Sequence, residues 1–117
     1  NDQVKPMKIN ITTADDIAIV TLEGELDGQS APDMEAQILP LVHPQCRILL
    51  DMGGVSYISS IGLRALLLLH RETTNSQGHI ILCCLTEMIY DTMLITGFLD
   101  FFEDYDTIAA GLAALKA

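Results

Sequence analysis

Basic residues are scarce in this sequence, which has six Lys and Arg side chains against sixteen Asp and Glu. The formal net charge of -10 at pH 7 repels phosphate backbones and anionic membrane surfaces. The composition therefore argues against nucleic acid as a direct partner. A basic protein surface is the partner that this charge favours, although the same acidity would also serve solubility alone.

Long apolar runs are absent as well. The longest, at 65–69 and 80–85, fall far short of the ~20 residues that a membrane-spanning helix needs. The amino-terminal stretch NDQVKPMKINITT is polar and lacks the pattern of a secretory signal. We therefore expect a protein with no membrane association and a cytoplasmic location.

Cysteines are few, and their number is odd. Cys46, Cys83 and Cys84 lie in or beside apolar, strand-like runs, where thiols commonly act as small core residues. If Cys83 and Cys84 lie on a strand, they point to opposite faces and cannot easily bind one metal ion together. We therefore expect neither a metal site nor a cofactor.

The length of 117 residues fits one domain with a core of its own. We assign residues 1–117 to that domain, with 1–6 as a flexible tail or a segment added for expression. No repeat, low-complexity tract or interdomain linker divides the chain.

Strand and helix patterns alternate along most of the chain. The runs MKINITT and IAIVTLEG predict two strands joined by a short turn, and Pro32 fits the first turn of a helix that Pro40 should kink or end. The segments that follow predict, in order, a central strand (CRILLD), a loop (MGGVSYIS), a helix from about Ser60 to Asn75, a strand (HIILCCL), a helix that stops at Gly97 (TEMIYDTMLITG), a short strand (LDFFED) and a closing helix (YDTIAAGLAALKA).

This order predicts an α/β fold: a single small domain with a mainly parallel β-sheet, an antiparallel N-terminal edge strand and about four helices. In an open parallel sheet, the loops at the carboxyl ends of the strands gather at one edge, where sites usually form. The GELDG, MGGVSYIS and LTE segments should therefore lie together, with Asp27 near Ser60.

Two serines directly precede the apolar helix. Serine is a preferred helix N-cap, and either Ser59 or Ser60 can fill that structural role. A hydroxyl at a helix start is also exposed, and a phosphate added there would meet unpaired amides and the positive end of the helix dipole. Arg64 lies on the same helix face as Ser60 and could pair with that phosphate, or it could be an ordinary surface arginine.

Enzymatic chemistry has little support in the sequence. The nucleophile motif G-x-S-x-G fails around Ser60 because position 58 is Ile. Asp27 and Asp51 follow predicted strands and could form a carboxylate pair for acid–base or Mg²⁺ chemistry, but turn formation explains each of them as well. We therefore predict a binding protein with no catalytic residues.

Three segments of the chain resemble the STAS-domain family, which includes the anti-sigma factor antagonists of bacteria. They are, in order, VTLEGELDG, ILLDMGGVSYISSIGLRALL and HIILCCLTEMIYDTMLITGFLDFFEDYDT. Together with the order of the elements, the resemblance covers nearly the whole chain.

The resemblance implies a domain whose central serine is phosphorylated by a serine kinase that is also an anti-sigma factor. The unphosphorylated antagonist binds that kinase and frees the sigma factor, and the phosphorylated antagonist lets go. The family's acceptor falls on Ser60, its glycine on Gly62 and its GELD aspartate on Asp27. Ser59 and Ile61 stand where the family has Asp and Ser, so Ser59 is the alternative acceptor.

The resemblance also implies a partner-binding surface around the acceptor, made of Asp27, Ser59, Ile61, Gly62 and Arg64, the last of which replaces a common family glycine. STAS domains also occur in transporters, lipid-trafficking complexes and stress-signalling assemblies, and a fold does not settle the partner. The alternative function is therefore a subunit of such a complex that is never phosphorylated.

Overall fold

The computed structural model describes residues 6–117, so most of the tail expected at 1–6 lies outside the described residues. Strands and helices alternate after an initial hairpin, and two short 3₁₀ turns, Leu39–Leu41 and Phe98–Phe101, interrupt the order. The main elements are β1 (Lys8–Ala14), β2 (Ile17–Leu26), α1 (Ala31–Ile38), β3 (Arg47–Ile58), α2 (Ser60–Asn75), β4 (His79–Cys83), α3 (Glu87–Thr96), β5 (Glu103–Tyr105) and α4 (Ile108–Lys116).

Across residues 6–117 the sheet has five strands, in the order β1-β2-β3-β4-β5. β1 and β2 are antiparallel, and the pairs that follow are parallel. Asp15 and Asp16 form the hairpin turn with φ values of 53° and 64°, which suits the right-handed twist of the flanking strands. The architecture confirms the predicted α/β domain with its antiparallel N-terminal edge.

Helices cover both faces of the sheet. Met34 of α1, Leu66 of α2 and Met93 of α3 lie in one buried cluster with Leu50 of β3. Leu115 of α4 packs on the other face, in a cluster with Leu49. Because β3 is covered on both sides, its first half is a continuous apolar run instead of an alternating one.

The third strand is longer than predicted. β3 continues through the segment that we expected to be a loop, and β2 continues beside it, with Glu25 opposite Tyr57 and Leu26 opposite Ile58. Gly54 does not form a turn; a Cβ atom there would lie 2.7 Å from Glu23 Cγ, so this glycine allows two strands to approach closely. The MGGVSYIS loop prediction was wrong for this reason.

The carboxyl-terminal elements differ slightly from the prediction. α3 ends at Gly97 as expected, with φ 83°, the left-handed conformation common at helix ends. The chain then makes the 3₁₀ turn, and the fifth strand begins only at Glu103.

α1 ends at Ile38, two residues before Pro40, as predicted. Within residues 6–117, no helix combines the length and the hydrophobicity needed to cross a bilayer.

Candidate functional site

The start of α2 lies at the carboxyl end of β3 and is fixed by Ser59. This residue is the N-cap, with extended backbone (φ -93°, ψ 173°), and its Oγ accepts a hydrogen bond of 3.1 Å from the Gly62 amide. Its own amide donates to the Leu26 carbonyl oxygen at 2.9 Å. Ser59 therefore performs the capping role that the sequence left open between two serines.

Ser60 is the first residue of α2, and its side chain is exposed. Since Ser59 supplies the cap, the Ser60 hydroxyl is not needed to satisfy the first turn of the helix. It stands where the amides of that turn create a positive potential. The residue as a whole is open to solvent.

Gly62 and Ile61 hold the first turn of α2 against the β2–α1 loop. A Cβ atom on Gly62 would overlap the Leu26 carbonyl oxygen, so only glycine permits this approach. Ile61 remains 51% exposed, yet its Cδ1 would lie 3.1 Å from a Cβ atom placed on Gly28. The first turn of α2 (residues 59–62) and the loop after β2 (residues 27–30) thus lie against each other. Together they are called the corner.

Asp27 organises the loop on the other side of this corner. Its Oδ1 accepts hydrogen bonds from the amides of Gln29 (3.0 Å) and Ser30 (3.1 Å) and from Ser30 Oγ (3.3 Å). The Ser30 amide, and next the Gln29 amide, hold the pKa of the Asp27 carboxyl below its ordinary value, because these bonds favour the ionised form. The residue before Asp27 is Leu26, whose carbonyl oxygen accepts the hydrogen bond from the Ser59 amide. This bond places Asp27 at the same corner as Ser60.

Two further exposed side chains lie within four residues of Ser60 along the chain. Arg64 is exposed and lies one turn after Ser60 on α2. Tyr57 is 48% exposed near the end of β3, and the sequence did not reveal it because its segment has the glycine pattern of a loop. The signal was its position one residue before the buried Ile58, since adjacent strand residues face opposite sides.

The predicted carboxylate pair does not form. Asp51 is paired with Thr21 in the middle of β2, whereas Asp27 lies six residues further along the chain. At ~3.3 Å per strand residue this separation is about 20 Å. The prediction failed because β3 does not end at Asp51.

Hydrolase chemistry is equally unsupported by the geometry. His70 lies ten residues after Ser60 on the same helix, a distance of about 15 Å at ~1.5 Å per residue. It packs edge-on against Phe102 with ring centroids 5.2 Å apart, beside a cavity of about 250 Å³ at the opposite edge of the sheet. Burial lowers the pKa of His70. No serine–histidine pair can form between these two residues.

The two adjacent cysteines do not lie on opposite faces. Cys84 follows the end of β4 with a left-handed φ of 64°, so strand alternation stops there. Its Sγ, the Cys83 Sγ and an Asp51 carboxylate oxygen all lie within 4.8 Å of one another. Burial, followed by contact with Cys84, raises the pKa of the Cys83 thiol. The expectation that geometry separates this pair was wrong.

Comparisons with known proteins agree with this fold. The STAS domain model matches residues 8–111. BtrV of Bordetella bronchiseptica, a proposed anti-sigma factor antagonist, is 33% identical over 111 residues, which cover 94% of this chain and 96% of BtrV.

Solved structures show the same architecture. A Thermotoga maritima protein, also a proposed anti-sigma factor antagonist, superimposes with a TM-score of 0.84 at 18% identity over 93% of this chain and 95% of that one. An anti-sigma factor antagonist from Mycobacterium paratuberculosis gives 0.83 at 22% identity over 95% of each chain. The chain therefore belongs to the STAS domain family, with the anti-sigma factor antagonists, which are binding proteins and not enzymes.

Proposed function

We propose that this protein binds an anti-sigma factor that is also a serine kinase, and that phosphorylation of Ser60 ends the binding. The observation that carries the proposal is that the two adjacent serines have different roles. Ser59 caps α2, whereas Ser60 is an exposed residue that the cap does not need. The 33% identity to a proposed anti-sigma factor antagonist supports the class of partner. In this proposal the protein acts in the cytoplasm as a regulator of transcription.

The docking surface in this proposal is the corner around Ser60. We take it to include the apolar side chains of Ile61 and Tyr57, which are 51% and 48% exposed, and the polar groups of the loop after β2. Exposed apolar side chains grouped with polar ones are typical of protein contact sites. The partner-binding residues are Asp27, Ser59, Ile61, Gly62 and Arg64, with Tyr57 added.

The switch follows from charge. A phosphate adds about -1.5 to -2 charges at neutral pH, and a charge left unpaired in a buried contact costs several kcal/mol. Since about 1.4 kcal/mol changes an affinity tenfold, one phosphate on Ser60 is enough to release the partner. The free protein tolerates the group, because the start of α2 attracts anions and Arg64 lies one turn away.

The acceptor is tested by incubating the purified protein with the partner kinase of its own organism and ATP, followed by peptide mass spectrometry. One phosphate on Ser60 is expected, and Ser60→Ala should abolish it. Ser59→Ala is the matched control and should still be phosphorylated on Ser60. A phosphate on Ser59 would overturn the acceptor, and no phosphate would favour a STAS subunit of a non-phosphorylated complex.

The switch itself is tested by measuring the Kd for the same kinase by titration calorimetry. Ser60→Ala should bind as the unmodified protein does, whereas Ser60→Asp should bind at least about tenfold more weakly, a loss of ~1.4 kcal/mol. Equal binding by Ser60→Asp and the unmodified protein would contradict the charge mechanism. Circular dichroism of both variants excludes misfolding as the cause.

A further inference from the structure

Three ionisable side chains lie side by side on the face of the sheet that α4 covers. Asp51 of β3 is directly opposite Cys83 of β4, and Cys83 is opposite Tyr105 of β5. Residues in register on adjacent strands point to the same face. Cys83 belongs to the buried cluster on this face, together with Leu49 and Leu115, and Tyr105 packs against that cluster.

The backbone conformation of Cys84 places its side chain beside these residues. Its φ of 64° is uncommon for a residue with a side chain and costs free energy that surrounding contacts must offset. The Cys84 amide is held by the Tyr105 carbonyl oxygen at 3.0 Å, and its side chain packs against the same cluster as Cys83. The result is a group of two thiols and one carboxylate whose ligand atoms all lie within 4.8 Å of one another.

We propose that Asp51, Cys83 and Cys84 bind one thiophilic divalent cation of the Zn²⁺ class. Zinc binds thiolate sulfur at about 2.3 Å and carboxylate oxygen at about 2.0–2.2 Å, so tetrahedral ligand atoms lie about 3.8 Å apart or less. The three atoms lie within 4.8 Å of one another, so side-chain rotation would have to bring them about 1 Å closer to reach that spacing. Two sulfur ligands disfavour Mg²⁺ and Ca²⁺, which prefer oxygen.

The surroundings suit a cation that enters from solvent. Cys83 is buried, while Asp51 and Cys84 are half-buried. The Gly53 amide donates to Asp51 Oδ1 at 3.0 Å, which orients the carboxylate in the way that outer partners orient metal ligands. A Cβ atom on Gly53 would lie 3.2 Å from that oxygen and 3.4 Å from Cys84 Cβ. Gly53 is exposed and has no side chain to cover the group, and water would complete the coordination of a bound ion.

Binding is tested with Co²⁺ as an optical probe, under a reducing phosphine that keeps the thiols free. Each bound thiol gives its proton to the buffer, so a thiolate-to-cobalt charge-transfer band should appear and saturate at one ion per chain. Added Zn²⁺ should displace the cobalt and remove the band. No such band at saturating Co²⁺ would overturn the proposal, as would a band that Zn²⁺ leaves unchanged.

The ligands are tested with two variants and a matched control. Cys84→Ser and Asp51→Asn should each weaken Zn²⁺ binding by more than about 100-fold, since even residues that only orient ligands are worth about 10–100-fold. Cys46→Ala removes the remaining thiol, which lies in the other buried cluster, and should leave binding unchanged. Equal loss in all three variants, or full binding by Cys84→Ser, would contradict the assignment.

A second measurement uses the unmodified protein, so it does not depend on whether a variant folds. Iodoacetamide should alkylate Cys84 in the unmodified protein, because this thiol is half-buried while Cys46 and Cys83 are buried. Saturating Zn²⁺ should slow this reaction at least tenfold, whereas Mg²⁺ should not. An unchanged alkylation rate would overturn the site independently of any substitution, and neither result bears on Ser60.

Discussion

Ser59 and Ser60 are neighbours in the sequence with different surroundings. The Ser59 hydroxyl is bonded within the fold, and the Ser60 side chain is exposed. The sequence predicts that one serine caps the helix but does not say which, because capping preferences do not distinguish two adjacent serines. The extended backbone of Ser59 decides the question, and it depends on where β3 ends.

Replacing each serine with alanine should separate these roles in stability. Ser59→Ala removes the hydrogen bond to the Gly62 amide and should lower the free energy of unfolding by about 1 kcal/mol, within the ~0.5–2 kcal/mol typical of a lost cap. Ser60→Ala should change it by no more than about 0.5 kcal/mol, as exposed substitutions do. Urea denaturation of both variants measures this, and the reverse order would contradict the capping assignment.

The Asp27 carboxyl should contribute to acid sensitivity. Its pKa is lowered in the folded protein by the Ser30 and Gln29 amides, so the stabilisation is present above the unfolded pKa of about 3.9. That stabilisation is lost as pH falls through the lower folded pKa. Burial raises the pKa of Asp104, which has the opposite effect, so a variant is needed to isolate Asp27.

The measurement compares urea unfolding of the unmodified protein and Asp27→Asn between about pH 6 and pH 2, the window on either side of the ordinary carboxyl pKa. The variant should be less stable at pH 6, and the difference should shrink steadily toward pH 2. Asp33→Asn, an exposed aspartate on α1, is the matched control. A stability difference that stays constant with pH would contradict the proposed cause.

At the scale of elements, the sequence predicted the order, the type and most of the ends correctly. Apolar runs, proline positions and Gly97 are strong local signals, and each corresponds to an observed boundary. The second half of β3 was missed because adjacent glycines such as Gly53 and Gly54 usually mark turns. Here Gly54 lets β3 approach β2, and Gly53 leaves room for the side chains of Asp51 and Cys84. Close contacts between strands distant in sequence leave no periodic pattern.

The contact between α2 and the end of β2 should depend on Gly62. Alanine favours a helix over glycine by about 1 kcal/mol, yet its Cβ here would overlap the Leu26 carbonyl oxygen, and such overpacking costs about 1–3 kcal/mol. Gly62→Ala should therefore be destabilising in urea despite the better propensity. The matched control is Gly28→Ala, whose Cβ meets only the mobile tip of Ile61 and should be nearly neutral; equal stability of the two variants would contradict the close packing.

At the scale of the whole molecule, charge is the property that the sequence determines most directly. The net charge is -10, and the Cα radius of gyration is only 13.3 Å. At about 0.01 M salt the Debye length is ~30 Å, so every carboxylate interacts with the others across the domain. The ion pair between Lys116 and Asp15 is exposed and offsets little of this repulsion. The compact state is therefore opposed by its own charge.

Salt should stabilise this protein at neutral pH. Raising NaCl from about 0.01 M to about 0.3 M shortens the Debye length to below ~10 Å, which weakens repulsion among the many acidic groups more than it weakens the few attractions. The midpoint of thermal unfolding should rise. Near the isoelectric pH of about 4.3, where the net charge vanishes, the same addition should have little effect. A midpoint that falls with salt at pH 7 would show that specific ion pairs outweigh the overall repulsion.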